Sequence, residues 1–407
     1  MKILLVAYNC EPGKGSEDGI GWSIIKSLSK IHEVIVLTRL EFKEKLEDEK
    51  LNEQGHNVRY LFLNTIIART SPFYNWLTQI IYYVWQLRAA VHVRKLTRNE
   101  SFDIIQHVTW IRCWMPSAIM GAVSGKIVWG PVGGVEYVPE VFLKTWCGSA
   151  GGEYLKRVLI KFSRLDPFVR YLARKTDLGI ACTPDALTYL KEIGCRNVLL
   201  MDCVGLSAED MSPCSKHVQR EREGIRFISI GRLLGWKGYH YGLKAFATAA
   251  IPSSEYWIIG DGKIRNELEH LCRELGILDS VRFLGNIPRN EVLYRISESD
   301  VLVHPSFRDS GGWVCLEAMG NGLPVICLDK GGPAVMVTED TGMRIRTNDV
   351  DQVIHDISSA MVFYSKHKAE LLKQGKNGIQ RVKHCFSWDH KADLLTEYYN
   401  ELRKTDF

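Results

Sequence analysis

Short apolar runs of strand length alternate with helical patterns along the chain, in two series separated by a polar stretch. The first series comprises Lys2–Tyr8, Glu33–Thr38, Val58–Leu63, Asp103–Val108, Lys126–Trp129 and Leu178–Cys182. Between its first two runs lie Glu11-Pro12-Gly13-Lys14-Gly15-Ser16 and the helical pattern Ile20, Ile24, Ile25, Leu28, which together make a βαβ unit. Runs that are apolar throughout predict strands of a parallel sheet with helices on both faces. The second series comprises Phe227–Ile230, Trp257–Ile259, Val281–Leu284, Val301–His304 and Pro324–Leu328, with helical segments at Ile264–Leu275 and Val314–Met319. Cys203–Ser215, where Ser207, Glu209, Asp210, Ser212 and Pro213 break the pattern, reads as a linker. The expected fold class is α/β: two doubly wound halves of about 200 residues, with ligands at strand C-terminal ends in a cleft between them. Trp388–Leu402 reads as one amphipathic helix.

Composition narrows the function. With 46% apolar and 24% charged residues, the 407-residue chain is neither disordered nor collagen-like. Its 52 basic and 47 acidic residues leave a charge of +5, too mild over this length to indicate a nucleic-acid partner. The 11 cysteines include no CxxC pair, which argues against a zinc ribbon or a disulfide framework. Reduced thiols acting as small core residues in a cytoplasmic protein are the expectation. Ile3–Ala7 is too short for a signal-peptide core, and no run reaches the ~18 apolar residues of a spanning helix.

Two stretches carry chemistry. A strand ending at His304 runs into Pro305-Ser306-Phe307-Arg308-Asp309-Ser310-Gly311-Gly312 and then a helix starting near Trp313. Amides at a helix start, with glycines permitting close approach, suit an anion or a hydroxyl-rich ligand. Glu317 lies one turn into that helix, so Asp309 and Glu317 can grip different parts of one polyol. The second stretch is Ile230-Gly231-Arg232-Leu233-Leu234-Gly235-Trp236-Lys237-Gly238, after the first strand of the second half. A guanidinium and an ammonium converging there would neutralise a diphosphate leaving group. The plainer reading is a solvated basic loop.

Together these stretches resemble retaining glycosyltransferases of family 4, nucleotide-sugar enzymes of the GT-B fold. Gly231, Arg232, Lys237 and Gly238 fit that family's Gly-Arg…Lys-Gly loop. Pro305, Ser306, Glu317, Ala318, Met319, Gly322, Leu323, Pro324 and Val325 fit the pattern around its Glu-x7-Glu motif. The first acid departs from the pattern, being Asp309, one methylene shorter. Gly260-Asp261-Gly262 fits the strand-end glycine turn, and Glu11-Pro12-Gly13 with Gly15-Ser16-Glu17 resembles the first glycine loop. Gln106-His107-Val108-Thr109 and Trp129-Gly130-Pro131-Val132-Gly133-Gly134 resemble acceptor-side loops. Phe386-Ser387-Trp388 resembles the family's crossover back to its first domain, so the likeness covers essentially the whole chain.

The resemblance implies three regions: 1–205 binding the acceptor, 206–385 binding the nucleotide sugar, and 386–407 crossing back as a helix. It implies sugar transfer to a lipid-linked or polysaccharide-precursor (glycan) acceptor, whose hydroxyl attacks on the face the diphosphate leaves. Arg232 and Lys237, with the turn at Gly231 and amides near Gly15 and Ser16, would meet the phosphate charge. Glu317 would hold ribose hydroxyls, while Asp309 and the amides of Gly311, Gly312 and Trp313 would hold the sugar. His107 would sit beside the sugar or acceptor, although a buried core histidine is the plainer reading. No cofactor, metal or dedicated base is expected, because a leaving phosphate oxygen can take the acceptor proton. The other functions are a nucleotide-sugar-binding protein without catalysis and a GT-B epimerase; a phosphorylase lacks a signature for pyridoxal phosphate.

Three further stretches have competing readings. Asp349-Val350-Asp351 resembles a metal-holding DxD but precedes the helical pattern Val353, Ile354, Ile357, so a helix cap is expected. Residues 73–95 join aromatic and apolar residues to a basic end. Residues 153–175 set Lys156, Arg157, Lys161, Arg164, Arg170, Arg174 and Lys175 against Glu153 and Asp166. Each of these two suits a helix lying on anionic lipid at the inner membrane face, or an ordinary core-packing helix with a solvated side.

Overall fold

The computed structural model describes residues 1–67, 74–145, 150–207, 210 and 223–404, apart from the side chains of residues 16, 74–76 and 150. Most of the expected linker, and Phe73, lie outside the described residues. Strands β1 (Lys2–Ala7), β2 (Glu33–Arg39), β3 (Val58–Leu63), β4 (Ile104–His107), β5 (Lys126–Val132), β6 (Leu178–Ala181) and β7 (Val198–Leu200) form one sheet. Its order is β3-β2-β1-β4-β5-β6-β7, and every neighbouring pair is parallel. Strands β8 (Arg226–Ile230), β9 (Glu255–Ile259), β10 (Val281–Gly285), β11 (Val301–His304), β12 (Val325–Leu328) and β13 (Gly342–Ile345) form the other. Its order is β10-β9-β8-β11-β12-β13, again all parallel. The uninterrupted apolar runs make the buried central strands: β1 is buried from Ile3 to Ala7 and β11 along its whole length. The edge strands β7 and β13 have no such run, and the sequence reading omits both.

The chain divides into two compact units. Met1–Val135, Val158–Cys203 and Trp388–Phe407 form the first; Glu136–Arg157 and Val204–Ser387 form the second. This corrects the expected division at residue 205 in one respect, since Glu136–Arg157 belongs with the second unit. The cause is packing. Phe142 lies against Phe307 and Tyr241, with ring centroids 4.6 and 5.7 Å away. Glu153, whose carboxylate is 0% exposed, pairs with Arg308 at 2.6 Å, and Ser310 Oγ donates to Glu136 Oε2 at 2.8 Å. In the first unit the Trp388–Lys404 helix buries Trp388, Ala392, Leu395 and Tyr399. It is fixed by a buried ion pair in which Lys391 Nζ donates to Asp202 Oδ1 at 2.5 Å, and by Tyr399 donating to Gln106.

The Tyr74–Asn99 helix bears on one ambiguity of the sequence. Ile81, Tyr82, Trp85, Ala89 and Val93 are buried, and Gln86 Oε1 accepts from the Ala118 amide at 2.6 Å. One face of this helix packs into the core, as the plainer reading has it, while Ile80 and Val91 on it are exposed. Asp349 caps the Val350–Lys366 helix by accepting from the Gln352 amide, as its sequence context indicates. Of the described cysteines all are free thiols, and all but Cys385 are buried.

Candidate functional site

In each sheet the strand order reverses between two neighbours, β1 and β4 in the first and β8 and β11 in the second. Connections leave such a pair toward opposite faces, opening a crevice beyond the strand C-termini. In the second unit the loops concerned are Gly231–Gly238 after β8 and Pro305–Gly312 after β11, the two stretches the sequence singles out. Gly238 lets them touch. Its φ is +68°, and a Cβ there would meet the Pro305 carbonyl oxygen at 2.1 Å.

Contact between the loops assembles a cluster around Asp309. Lys237 Nζ lies 2.6 Å and His304 Nε2 3.0 Å from Asp309 Oδ2, while Oδ1 accepts from the Gly312 amide at 2.8 Å. Burial alone would raise the Asp309 carboxyl, but Lys237 and His304 outweigh it and hold the group well below the usual carboxylate range. Burial keeps the His304 imidazole below its ordinary value, against the pull of Asp309. The ring is therefore neutral near pH 7 and donates through Nε2–H, since an ionised carboxylate only accepts. The resemblance implies that Asp309 and the Gly312 amide hold a sugar; in the structure the two bond each other, and Asp309 also holds Lys237 and His304. Lys237 keeps two of its three ammonium hydrogens for another acceptor.

Glu317 sits in the Trp313–Gly320 helix, buried, with Arg289 Nη2 2.8 Å away. Arg289 also pairs with Asp210 at 3.0 Å and lies over the Trp313 ring at 5.7 Å. Burial pushes the Glu317 carboxyl up to about 7, opposed by Arg289 and reinforced by Asp210. Arg232 is exposed on the loop after Gly231, whose φ is +138°. Gly311 and Trp313 flank Gly312 at the helix start.

The remaining expected site residues, Gly15, Ser16 and His107, belong to the first unit. Gly15 is the exposed N-cap of the Ser16–Leu28 helix and contributes no side-chain bond, which leaves first-turn amides free of a cap side chain. His107 requires a correction. Its ring is buried, with Nε2 3.4 Å from the Trp110 carbonyl oxygen and Nδ1 2.9 Å from Ser117 Oγ. Burial lowers its pKa to about 4, so it is a neutral core histidine with both nitrogens engaged. Sequence reasoning passed over His304 and Arg289. The signal for His304 was a polar residue ending an apolar strand; Arg289 had none, being 28 residues from Glu317.

Residues 215–378 match the family described as Glycosyl transferases group 1. This stretch is similar to the domains of group 1 glycosyltransferases. It contains β8 to β13 and every residue of the Asp309 and Glu317 clusters except Asp210. Lipopolysaccharide core biosynthesis glycosyltransferase LpsD of Rhizobium meliloti (strain 1021) is 27% identical over 209 residues, covering 51% of this chain and 60% of that protein. The chain spans between 42% and 62% of the length of the first curated relatives it matches. Among solved structures, the lipopolysaccharide outer core galactosyltransferase WaaB has a TM-score of 0.67 at 15% identity, over 98% of this chain and 100% of that one. Anabaena HepE in complex with UDP has a TM-score of 0.65 at 18% identity, over 98% and 100%. These likenesses show the fold to be that of GT-B glycosyltransferase structures.

Proposed function

We propose that the chain is a retaining glycosyltransferase of family 4 type, moving a sugar from a nucleotide-sugar donor to a lipid-linked or polysaccharide-precursor acceptor. The observation that carries this reading is the Lys237–Asp309 pair, which joins the loops after β8 and β11; Arg232 lies on the first loop and Glu317 in the helix that follows the second. Lys237, held by Asp309, and Arg232 meet the charge that grows on a departing diphosphate. Glu317 accepts from nucleotide ribose hydroxyls. Asp309 and His304 are positioning residues, which aim the Lys237 ammonium and touch neither sugar nor phosphate. The name of LpsD and the UDP held by HepE support the acceptor and donor classes. Incubation with UDP-, GDP- and ADP-sugars plus acceptor, followed by NMR of the new anomeric bond, tests the reading. Retained configuration is expected. Inversion would overturn the mechanism, and donor binding with neither transfer nor hydrolysis would leave a binding protein.

Glu317 makes donor binding depend on pH. Above pH 7 its carboxyl, raised to about 7, is ionised; as pH falls through 7 it takes a proton. The ribose hydroxyls then lose a charged acceptor, so the donor Kd should rise about fivefold between pH 8 and pH 6. Glu317→Gln should flatten that profile in isothermal titration, and an unchanged slope would remove Glu317 from the donor site. The effect on the empty protein has the opposite sense. A pKa raised above 4.5 gives stability that is present below 4.5 and lost as pH rises through 7.

Metal-free operation follows from the same cations. Since Arg232 and Lys237 supply the positive charge, transfer should persist in EDTA. Complete loss, restored by magnesium or manganese, would show that a metal meets the diphosphate instead.

A further inference from the structure

Residues 158–175 of the first unit use one apolar stripe and display a second. Ile160, Val169, Leu172 and Ala173 are buried in the core cluster of the unit. Around the same turns Phe162 is 64% and Leu165 67% exposed, with Val158, Leu159, Phe168 and Tyr171 exposed beside them. A surface helix ordinarily turns polar residues outward once its apolar stripe is buried. Single exposed apolar residues need no account, but six within eighteen residues form a patch.

The exposed charges within 158–175 are basic. Lys161, Arg170 and Arg174 are exposed, whereas Arg164 pairs with Glu192 at 2.7 Å and Lys175 Nζ donates to the Met120 carbonyl oxygen at 3.0 Å. Asp166 is the one acid of the stretch, and it is consumed. It caps the Pro167–Lys175 helix by accepting from the Phe168 and Val169 amides, and it accepts from Tyr83 OH at 2.8 Å.

We propose that this face docks on a bilayer bearing anionic headgroups. Phe162, Leu165 and Phe168 enter the acyl boundary, while Lys161, Arg170 and Arg174 meet lipid phosphates. The docking is superficial, since no described helix is long and apolar enough to cross a membrane. A second copy of the chain is a poorer occupant. A two-fold contact would bring this basic face against its own copy. The inference deepens the proposed function, resting on it for the reason to approach a membrane: a lipid-linked acceptor is presented there.

Vesicle co-sedimentation tests it with the full chain. Wild type should pellet with phosphatidylethanolamine–phosphatidylglycerol vesicles and stay in solution with pure phosphatidylcholine. The Phe162→Ser, Leu165→Ser, Phe168→Ser variant should lose at least ~10-fold in vesicle partition, since each side chain removes buried apolar area. The Lys161→Gln, Arg170→Gln, Arg174→Gln variant should lose the preference for phosphatidylglycerol. UDP binding, followed by thermal shift on the same samples, should survive in both variants, whose substitutions lie outside the donor loops. Lipid binding that survives the apolar substitutions overturns the proposal. So does light scattering that shows an oligomer dispersed by them, without vesicle binding. Absence of binding to UDP, GDP and ADP alike in wild type strikes the functional reading and leaves the lipid result to stand or fall alone.

Discussion

Lys237→Ala is expected to lower kcat by about 100- to 1000-fold, the usual cost of removing one preorganised charged donor from a developing oxyanion. The interaction strengthens as the glycosidic bond breaks, so donor affinity should change much less than turnover. Arg232→Ala should behave alike, and the double variant should cost less than the product of the singles, because both serve one charge. Asp309→Asn separates position from charge. It keeps the shape of the cluster but weakens the hold on Lys237, so its kcat should fall between wild type and Lys237→Ala. Steady-state kinetics beside equilibrium donor binding reads all four. Near-normal kcat with weakened binding in Lys237→Ala would reduce the pair to attracting the nucleotide.

The second large effect concerns stability. Lys391 and Asp202 are 4% and 7% exposed, so both charges of the pair are buried. Lys391→Met takes the ammonium away from a buried carboxylate, and breaking a buried pair in this way typically costs about 3–5 kcal/mol. Urea unfolding followed by tryptophan fluorescence should show the loss, with the first unit melting earlier. Removing both charges, as Lys391→Met with Asp202→Leu, should recover much of it, since an apolar pair of similar volume avoids the desolvation cost. A loss under about 1 kcal/mol in the single variant would mean that water reaches the pair and screens it.

The sequence shows what is local and hides what depends on distant partners. Val301–His304 is legible to the residue because a continuous apolar run ending in one polar residue marks a buried parallel strand, and Val58–Leu63 is found as well although this edge strand exposes Arg59. Asp349 is legible as a cap because its partner amide is three residues away. Asp309 is legible as an acid at a helix start, but its direction is not: Lys237 stands 72 residues earlier in the chain. Sequence periodicity likewise gives no sign that Glu153 lies under Arg308, 155 residues on. For residues 73–95, an aromatic-rich helix reads the same whether it faces lipid or core. Which residues face the core, such as Trp85 and Val93, and which stay exposed, such as Ile80 and Val91, is set by the elements packed against the helix.

The division of the chain also governs how it can be recombined. The backbone passes from one unit to the other four times, after Val135, Arg157, Cys203 and Ser387. A chimera built by cutting once near residue 205 would separate Glu153 from Arg308 and Asp202 from Lys391, leaving each parent's buried charges opposite a stranger's side chains. A transplant of donor specificity should therefore carry two inserts, 136–157 together with 204–387, and leave the Trp388–Lys404 helix with the recipient.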